Sequence, residues 1–131
     1  MLLVKTKLAP SKINGIGLFA DEFIPKGKII WQFKTGFDIK KTKAELESLS
    51  EPSKNQWLKY AYLNPVNNKY ILCFDDARFF NHSENPNIGN AEQKKDGEMA
   101  DISLSDIQIG EELTCNYKTF DADYSYKMRL N

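Results

Sequence analysis

The chain has 131 residues, and its 18 Lys plus Arg balance 18 Asp plus Glu, so its formal net charge is zero. That balance removes the electrostatic argument for general nucleic-acid binding, and the length fits one domain, 1–131, whose core can hold without metal or disulfide staples. One histidine and two cysteines make a poor zinc set, and no apolar run reaches membrane-spanning length.

From the N-terminus, Leu2 to Leu8 alternates apolar and polar residues, a strand pattern. Met1-Leu2-Leu3-Val4 is too short for a signal-peptide core, and Lys5 and Lys7 interrupt it. Ser11 to Ala20 then carries Asn14-Gly15-Ile16-Gly17. Gly-x-Gly permits positive φ and close approach of another group, but the third glycine and following helix of a dinucleotide fingerprint are missing. Locally it reads as a bulged hairpin turn. Ile24-Pro25-Lys26-Gly27 is a turn with proline at its second position, and Lys28 to Phe33 is the next strand. This succession describes a β-meander rather than alternating strands and helices.

A helical insert spans about 40–65. Thr42 and Glu45 have capping-box spacing, and Leu46 and Leu49 give the first short helix its apolar face. Glu51-Pro52-Ser53 breaks it, and Trp57, Leu58, Ala61 and Tyr62 space a second short helix. Asn64-Pro65-Val66-Asn67-Asn68 ends the insert. Tyr70 to Phe74 is a strand rich in β-formers.

Ala77-Arg78-Phe79-Phe80-Asn81-His82-Ser83-Glu84-Asn85-Pro86-Asn87 contains the only histidine. Phe79 and Phe80 pull the start of this polar loop into a core, and a buried polar loop must be fully hydrogen-bonded. A cofactor or a partner segment is one way to satisfy it. Loop chemistry alone puts an ordinary turn ahead of a site. Ile88 to Glu98 is polar and loop-like, with Asp96-Gly97 as a turn. Met99 to Leu104 alternates as a strand, Ile107 to Glu112 repeats the apolar pair, glycine and charge seen near Ile24, and Leu113 to Tyr117 is the last strand. Cys73 and Cys115 lie in apolar runs and read as buried free thiols, which suits a reducing compartment. The tail, 118–131, holds Phe120, Tyr124 and Tyr126, so it docks rather than frays. The fold class is mainly β with a small helical insert, and the expected location is soluble and intracellular, in cytoplasm or nucleus, with no membrane partner.

Three segments, Asn14 to Ala20, Arg78 to Asn87 and Gly110-Glu111-Glu112-Leu113-Thr114-Cys115-Asn116-Tyr117, resemble in order and spacing the SET-domain family of protein-lysine methyltransferases. The resemblance spans nearly the whole chain, and its middle motif is the most specific. It implies a SET-domain β-clip-like fold of short curled sheets with a C-terminal pseudoknot, in which the middle and late motifs cross. It implies a cleft for S-adenosylmethionine, with S-adenosylhomocysteine as product and no metal, and a narrow channel through which a protein or peptide lysine enters from the opposite face. Carried over by position, Asn14, Gly15, Ile16 and Gly17 bring backbone close to the cofactor. Asn81 and His82 hold its polar and adenine parts. Phe120, ahead of Tyr124 or Tyr126, covers the adenine and walls the channel, and Tyr117 is the catalytic residue beside the transferred methyl. A core tyrosine with a hydrogen-bonded hydroxyl is the ordinary alternative for Tyr117.

The implied function is a protein-lysine N-methyltransferase, with histone tails the common substrate class of the family. Free lysine, with pKa about 10.4, is protonated at neutral pH. A cationic cofactor and a dry aromatic channel both lower that value, and positioning then supplies much of the acceleration. Glu84 stands where many members have a zinc-binding cysteine, so the aromatic tail must close the channel itself. Cys115 occupies a place often held by phenylalanine or tyrosine, which leaves room for higher methylation states unless another tyrosine refills it. Asn116 replaces a common aspartate, and Phe33 is the nearest match, one residue out of register, to a channel tyrosine. A homodimer that finishes the substrate groove is a further expectation. The alternative is a catalytically weak SET-like module that binds a partner through the same groove. A metal hydrolase on Asp75, Asp76 and His82 ranks far behind, because adjacent strand residues face opposite sides.

Overall fold

The computed structural model describes residues 1–95 and 98–130. In chain order the strands are β1 (Thr6–Pro10), β2 (Ile16–Ala20), β3 (Ile29–Gln32), β4 (Ile39–Lys41), β5 (Tyr62–Leu63), β6 (Tyr70–Leu72), β7 (Asn81–His82), β8 (Ile88–Lys95), β9 (Glu98–Ser103) and β10 (Thr114–Cys115). They form a β1–β2 hairpin, a β3–β9–β8 sheet, a β4–β6–β5 sheet and a parallel β7–β10 pair. The expected turn at Asp96-Gly97 lies outside the described residues.

The first strand begins at Thr6 rather than at Leu2. Leu2 bridges to Trp31 instead, and Leu3 N donates to Ile30 O at 2.8 Å, so the alternating segment serves two sheets in turn. The helical insert holds α1 (Lys43–Glu47) and α2 (Glu51–Tyr60). Thr42 and Glu45 form the reciprocal capping box, each side chain accepting from the other's backbone N–H at 3.1 Å. The chain does break between two helices, but at 48–50, and Glu51-Pro52-Ser53 starts α2. Ser50 caps it, and Pro52 sits in the first turn, where its missing N–H costs nothing. Tyr62 lies past the helix, in β5.

The segment expected to be a polar loop, Ile88 to Glu98, contains the eight-residue β8. It is an edge strand of its sheet. Main-chain pairing to β9 and the buried Ile88 hold it in place of intrinsic strand propensity.

The two echoing turns meet. Ile24 N donates to Ile107 O at 2.9 Å and Ile107 N to Ile24 O at 2.8 Å. Three residues later in each segment, Gly27 (φ 86°) and Gly110 (φ 90°) take the left-handed conformation that glycine tolerates. Both isoleucines are fully buried, with Leu18, Ile30 and Leu113 beside them, and each such side chain contributes roughly 1.5–3 kcal/mol by burial. Phe79, Phe80, Tyr117 and Phe120 pack on this cluster, so the site residues rest on the best-packed part of the molecule. Cys73 and Cys115 are buried free thiols. The tail does dock: α3 (Tyr124–Leu130) is held by Asp121, which is buried, accepts from Leu63 N at 3.0 Å and lies 2.7 Å from the buried Lys127 Nζ. That last contact is an ion pair rather than a well-aligned hydrogen bond.

Candidate active site

The middle and late motifs lie side by side. In the parallel β7–β10 pair Asn81 is opposite Thr114 and His82 opposite Cys115, and Ser83 N donates to Cys115 O at 3.0 Å. Asn87 clamps the same crossing: its Nδ2 donates to Glu112 O at 2.8 Å and its Oδ1 accepts from Thr114 N at 2.9 Å. The polar loop thus finds its hydrogen bonds in the late motif, which is how buried polar side chains become tolerable.

Asn81 reaches a third segment. Its Nδ2 donates to Asn14 O and to Glu112 Oε2, both at 3.0 Å. Glu112 also accepts from Ser11 Oγ at 2.8 Å. A Cβ on Gly17 would lie 2.5 Å from Glu112 Oε2, so this glycine is required by close approach of a carboxylate. Gly15, in contrast, is required by its φ of 50°.

His82 Nδ1 accepts from Tyr117 N at 3.1 Å, so the proton of the neutral ring sits on Nε2, 3.3 Å from Glu84 Oε1. Lys118 Nζ donates to the same oxygen at 2.8 Å. The Lys118 hydrogen bond, then that of His82, lowers the pKa of the Glu84 carboxyl. Glu84 therefore joins the loop to the start of the tail. Asn116 accepts from Lys118 N and caps a 3-10 turn over Tyr117–Thr119.

The hydroxyl of Tyr117 donates to Phe80 O at 2.5 Å, across the crossing. Burial, then the neighbouring Cys115, pushes the phenol well above its usual range, so it stays protonated. Its ring is edge-on to His82 at 5.2 Å and to Phe120 at 6.0 Å, and Phe120 in turn is edge-on to Tyr62 at 5.4 Å.

Two cavities meet at this tyrosine. The larger, about 330 Å³, is lined by Asn14, Gly15, Ile16, Asn81 and Leu130 among others. The smaller, about 60 Å³, is lined by Trp31, Tyr62, Asp101, Cys115 and Phe120 among others. Both share Lys59, Tyr60, Arg78, Phe80, Tyr117 and Lys127. Of the expected cofactor residues, Asn14, Gly15, Ile16 and Asn81 line the larger cavity. Gly17 and His82 are not among its lining residues: Gly17 lies against Glu112, and His82 accepts from Tyr117 N. Phe120 lines only the smaller cavity, so the structure does not place it as a cover for the larger one; α3, through Leu130, does line that side. Phe33 packs in the core with Lys40 Nζ 4.6 Å from its ring centre and lines neither cavity, whereas Tyr62 lines the smaller one. Arg78, Lys59, Lys127, Trp31 and Asp101 were not singled out by sequence. Only Arg78 carried a signal, as a cation inside the middle motif. Asp75 accepts from Leu2 N at 2.7 Å and from Ala77 N at 3.2 Å, a structural use of its carboxylate. Among the described residues no His, Cys, Asp and Glu cluster could hold a metal ion, and no helix is long and apolar enough to cross a membrane.

The model of the SET domain family matches residues 15–118. The chain is 32% identical, over 86% of its length, to an H3 lysine-4-specific histone-lysine N-methyltransferase of Chaetomium globosum, and 32% identical, over 92%, to the histone-lysine N-methyltransferase trr of Drosophila melanogaster. It spans only 11% and 5% of those two proteins. Among solved structures it resembles a candidate histone methyltransferase of Plasmodium falciparum (TM-score 0.61, 21% identity, 88% of this chain and 95% of that one). It also resembles Chaetomium thermophilum Polycomb Repressive Complex 2 (TM-score 0.68, 20% identity, 97% of this chain and 17% of that one), and the ctPRC2 structure bound to S-adenosylmethionine (TM-score 0.66, 21% identity, 97% and 17%). The mostly-strand architecture, the crossing of the two motifs and these likenesses agree, and the chain belongs to the SET-domain family.

Proposed function

We propose that this chain is a protein-lysine N-methyltransferase that uses S-adenosylmethionine, with histone tails the substrate class to test first, as the names of its relatives suggest. The observation that carries the proposal is the meeting of two cavities at one fixed tyrosine hydroxyl. The larger cavity falls in the size range of small-molecule clefts, about 300–1,000 Å³. Its lining suits the cofactor: Asn14, Gly15 and Ile16 bring the glycine turn to it, the cations Lys59 and Arg78 suit a carboxylate, and the aromatic residues Tyr60 and Phe79 suit an adenine. When bound, S-adenosylmethionine supplies a methyl group on a positively charged sulfur.

The protein's part is positioning and drying. The Phe80 carbonyl fixes the Tyr117 hydroxyl, and its oxygen keeps lone-pair capacity to accept an N–H from an amine. Because the phenol stays protonated, that contact orients the amine without competing for the methyl. Trp31, Tyr62 and Phe120 give the smaller cavity an aromatic wall that excludes water, and desolvation favours the neutral, nucleophilic amine. Cys115 leaves room beside them, which favours higher methylation states, although Tyr62 refills part of the space.

The test is incubation of the chain with labelled cofactor and histones or cell extract. Tyr117→Phe is expected to lower kcat on the order of 100-fold while cofactor affinity changes less than about threefold. Unchanged turnover in that variant would overturn the assignment of Tyr117. Saturable cofactor binding with no transfer to any protein would move the chain to the class of partner-binding modules.

A further inference from the structure

Two carboxyls stand on β9, one fully buried and one half-buried at the edge of a cavity, and they are treated differently. Glu98 is fully buried and well partnered: Asn64 Nδ2 donates to it at 2.5 Å, Asn67 Nδ2 at 2.9 Å, and Lys40 Nζ lies at 3.2 Å. Asp101, three residues on, lines the smaller cavity and has no hydrogen bond or ion pair among the described residues. Trp31, paired with Asp101 across the β3–β9 ladder, lines the same cavity. It is 2% exposed, and its indole N–H has no partner among the described residues. A buried polar group without a partner costs free energy, so the buried indole N–H, with a half-buried carboxyl lining the same aromatic cavity, points to a polar ligand.

We propose that Asp101 receives the substrate amine: its carboxylate pairs with the incoming lysine ammonium in the channel and then takes its proton. This rests on the assignment of the smaller cavity as the lysine channel. The aromatic rings of Trp31, Tyr62 and Tyr117 favour a cation in the same space. In the proton step one ammonium N–H bond breaks, the proton goes to a carboxylate oxygen of Asp101, and the electron pair stays on nitrogen as the lone pair that accepts the methyl. The proton leaves to solvent when the product departs.

The other titratable groups on this wall do not compete. Burial pushes the Cys73 and Cys115 thiols and the Tyr62 and Tyr117 phenols up, so all four are neutral at pH 7. Lys59 and Arg78 line the wall from α2 and from the 3-10 turn over Asp76–Phe79, but neither pairs with Asp101 or shifts its carboxyl, and Lys127 is paired with Asp121. The N-terminal amino group acts on Asp101 from a distance and is itself paired with Asp38 at 2.9 Å. Asp101 is the one acid among the described residues that line the cavity. Burial raises its carboxyl to about 7, partly opposed by the N-terminus, so it is poised to exchange a proton near neutrality.

The probe is n-butylammonium, which has the reach and charge of a lysine side chain, titrated by NMR into the full chain without cofactor. Wild-type affinity should rise at least about tenfold between about pH 5.5 and about pH 8.5, with a midpoint near 7, and Asp101→Asn should hold it at the low-pH level throughout. Neutral n-butanol should change less than about twofold over the same range. A flat wild-type profile, an equal rise in Asp101→Asn, or a matching rise for butanol would each overturn the proposal, and the wild-type profile decides even where the variant does not fold. Kinetics separate the two levels. Methylation with an Asp101→Asn pH profile identical to wild type would remove the amine site and leave the methyltransferase. Asp101-dependent amine binding with no methylation of any protein would remove the methyltransferase and leave the amine site.

Discussion

The two cavities that meet at Tyr117 are built on opposite plans. On the larger side the polar groups satisfy one another: Ser11, Asn81, Glu112 and the Asn14 carbonyl close a network, and Gly17 is bare so that the Glu112 carboxylate can sit against it. On the smaller side Asp101 and the Trp31 N–H have no hydrogen-bond or ion-pair partner among the described residues. The first plan presets a shape in backbone and tolerates little change. The second sacrifices stability locally for a group that can act on a ligand, the usual mark of a functional site.

That contrast can be broken at several points. The largest effect should come from the tail, because α3 supplies walls to both sides. Asp121→Asn leaves Lys127 unpaired and is expected to cost about 3–5 kcal/mol in urea unfolding. Deletion from Phe120 onward should weaken cofactor binding at least about tenfold by calorimetry. Equal affinity in the truncated protein would show that the cleft needs no wall from the tail. Asn81→Ala removes the bonds to Asn14 and Glu112 together and should cost about 2–3 kcal/mol, with a parallel loss of cofactor affinity. Gly17→Ala should cost roughly 1–3 kcal/mol through the clash with Glu112, and Gly17→Ala with Glu112→Ala should recover part of it.

The channel side should respond with the opposite sign. Asp101 has a folded-state pKa of about 7 against an ordinary 3.8. Its stability contribution is complete below the lower value and is lost as pH rises through the upper one. Asp101→Asn should therefore raise stability by about 1–3 kcal/mol at pH near 8, after allowing for solvent in the cavity, and leave it unchanged near pH 3.5. A stabilised variant that loses amine binding is the sharpest form of the contrast. The smallest effect should be that of Glu84→Gln, whose exposed bonds to Lys118 and His82 are screened by water, with a Tm shift below about 1 °C.

Local chemistry made much of this molecule legible. The capping box at Thr42 and Glu45 and the docked aromatic tail follow from side chains acting within a few residues of themselves or from plain hydrophobicity. The crossing of the Asn81 and Tyr117 segments was legible in another way, through motif resemblance. Misreadings occurred where a neighbour in space overrode the local signal. Ile88 to Lys95 is a strand because β9 offers it a ladder, whereas Pro52 opens a helix for a local reason, the Ser50 cap before it.

By itself, then, the chain's order of residues determined its β-rich class, its turns and the three segments of the site. Only tertiary structure decided that Phe120 lines the smaller cavity and not the larger, that Tyr62 rather than Phe33 walls it, and that an aspartate on β9 stands there with no partner among the described residues. Those outcomes depend on which side chains from distant strands share one enclosed volume. Burial and the loss of water that follows are properties of that volume, and no local run of residues encodes them.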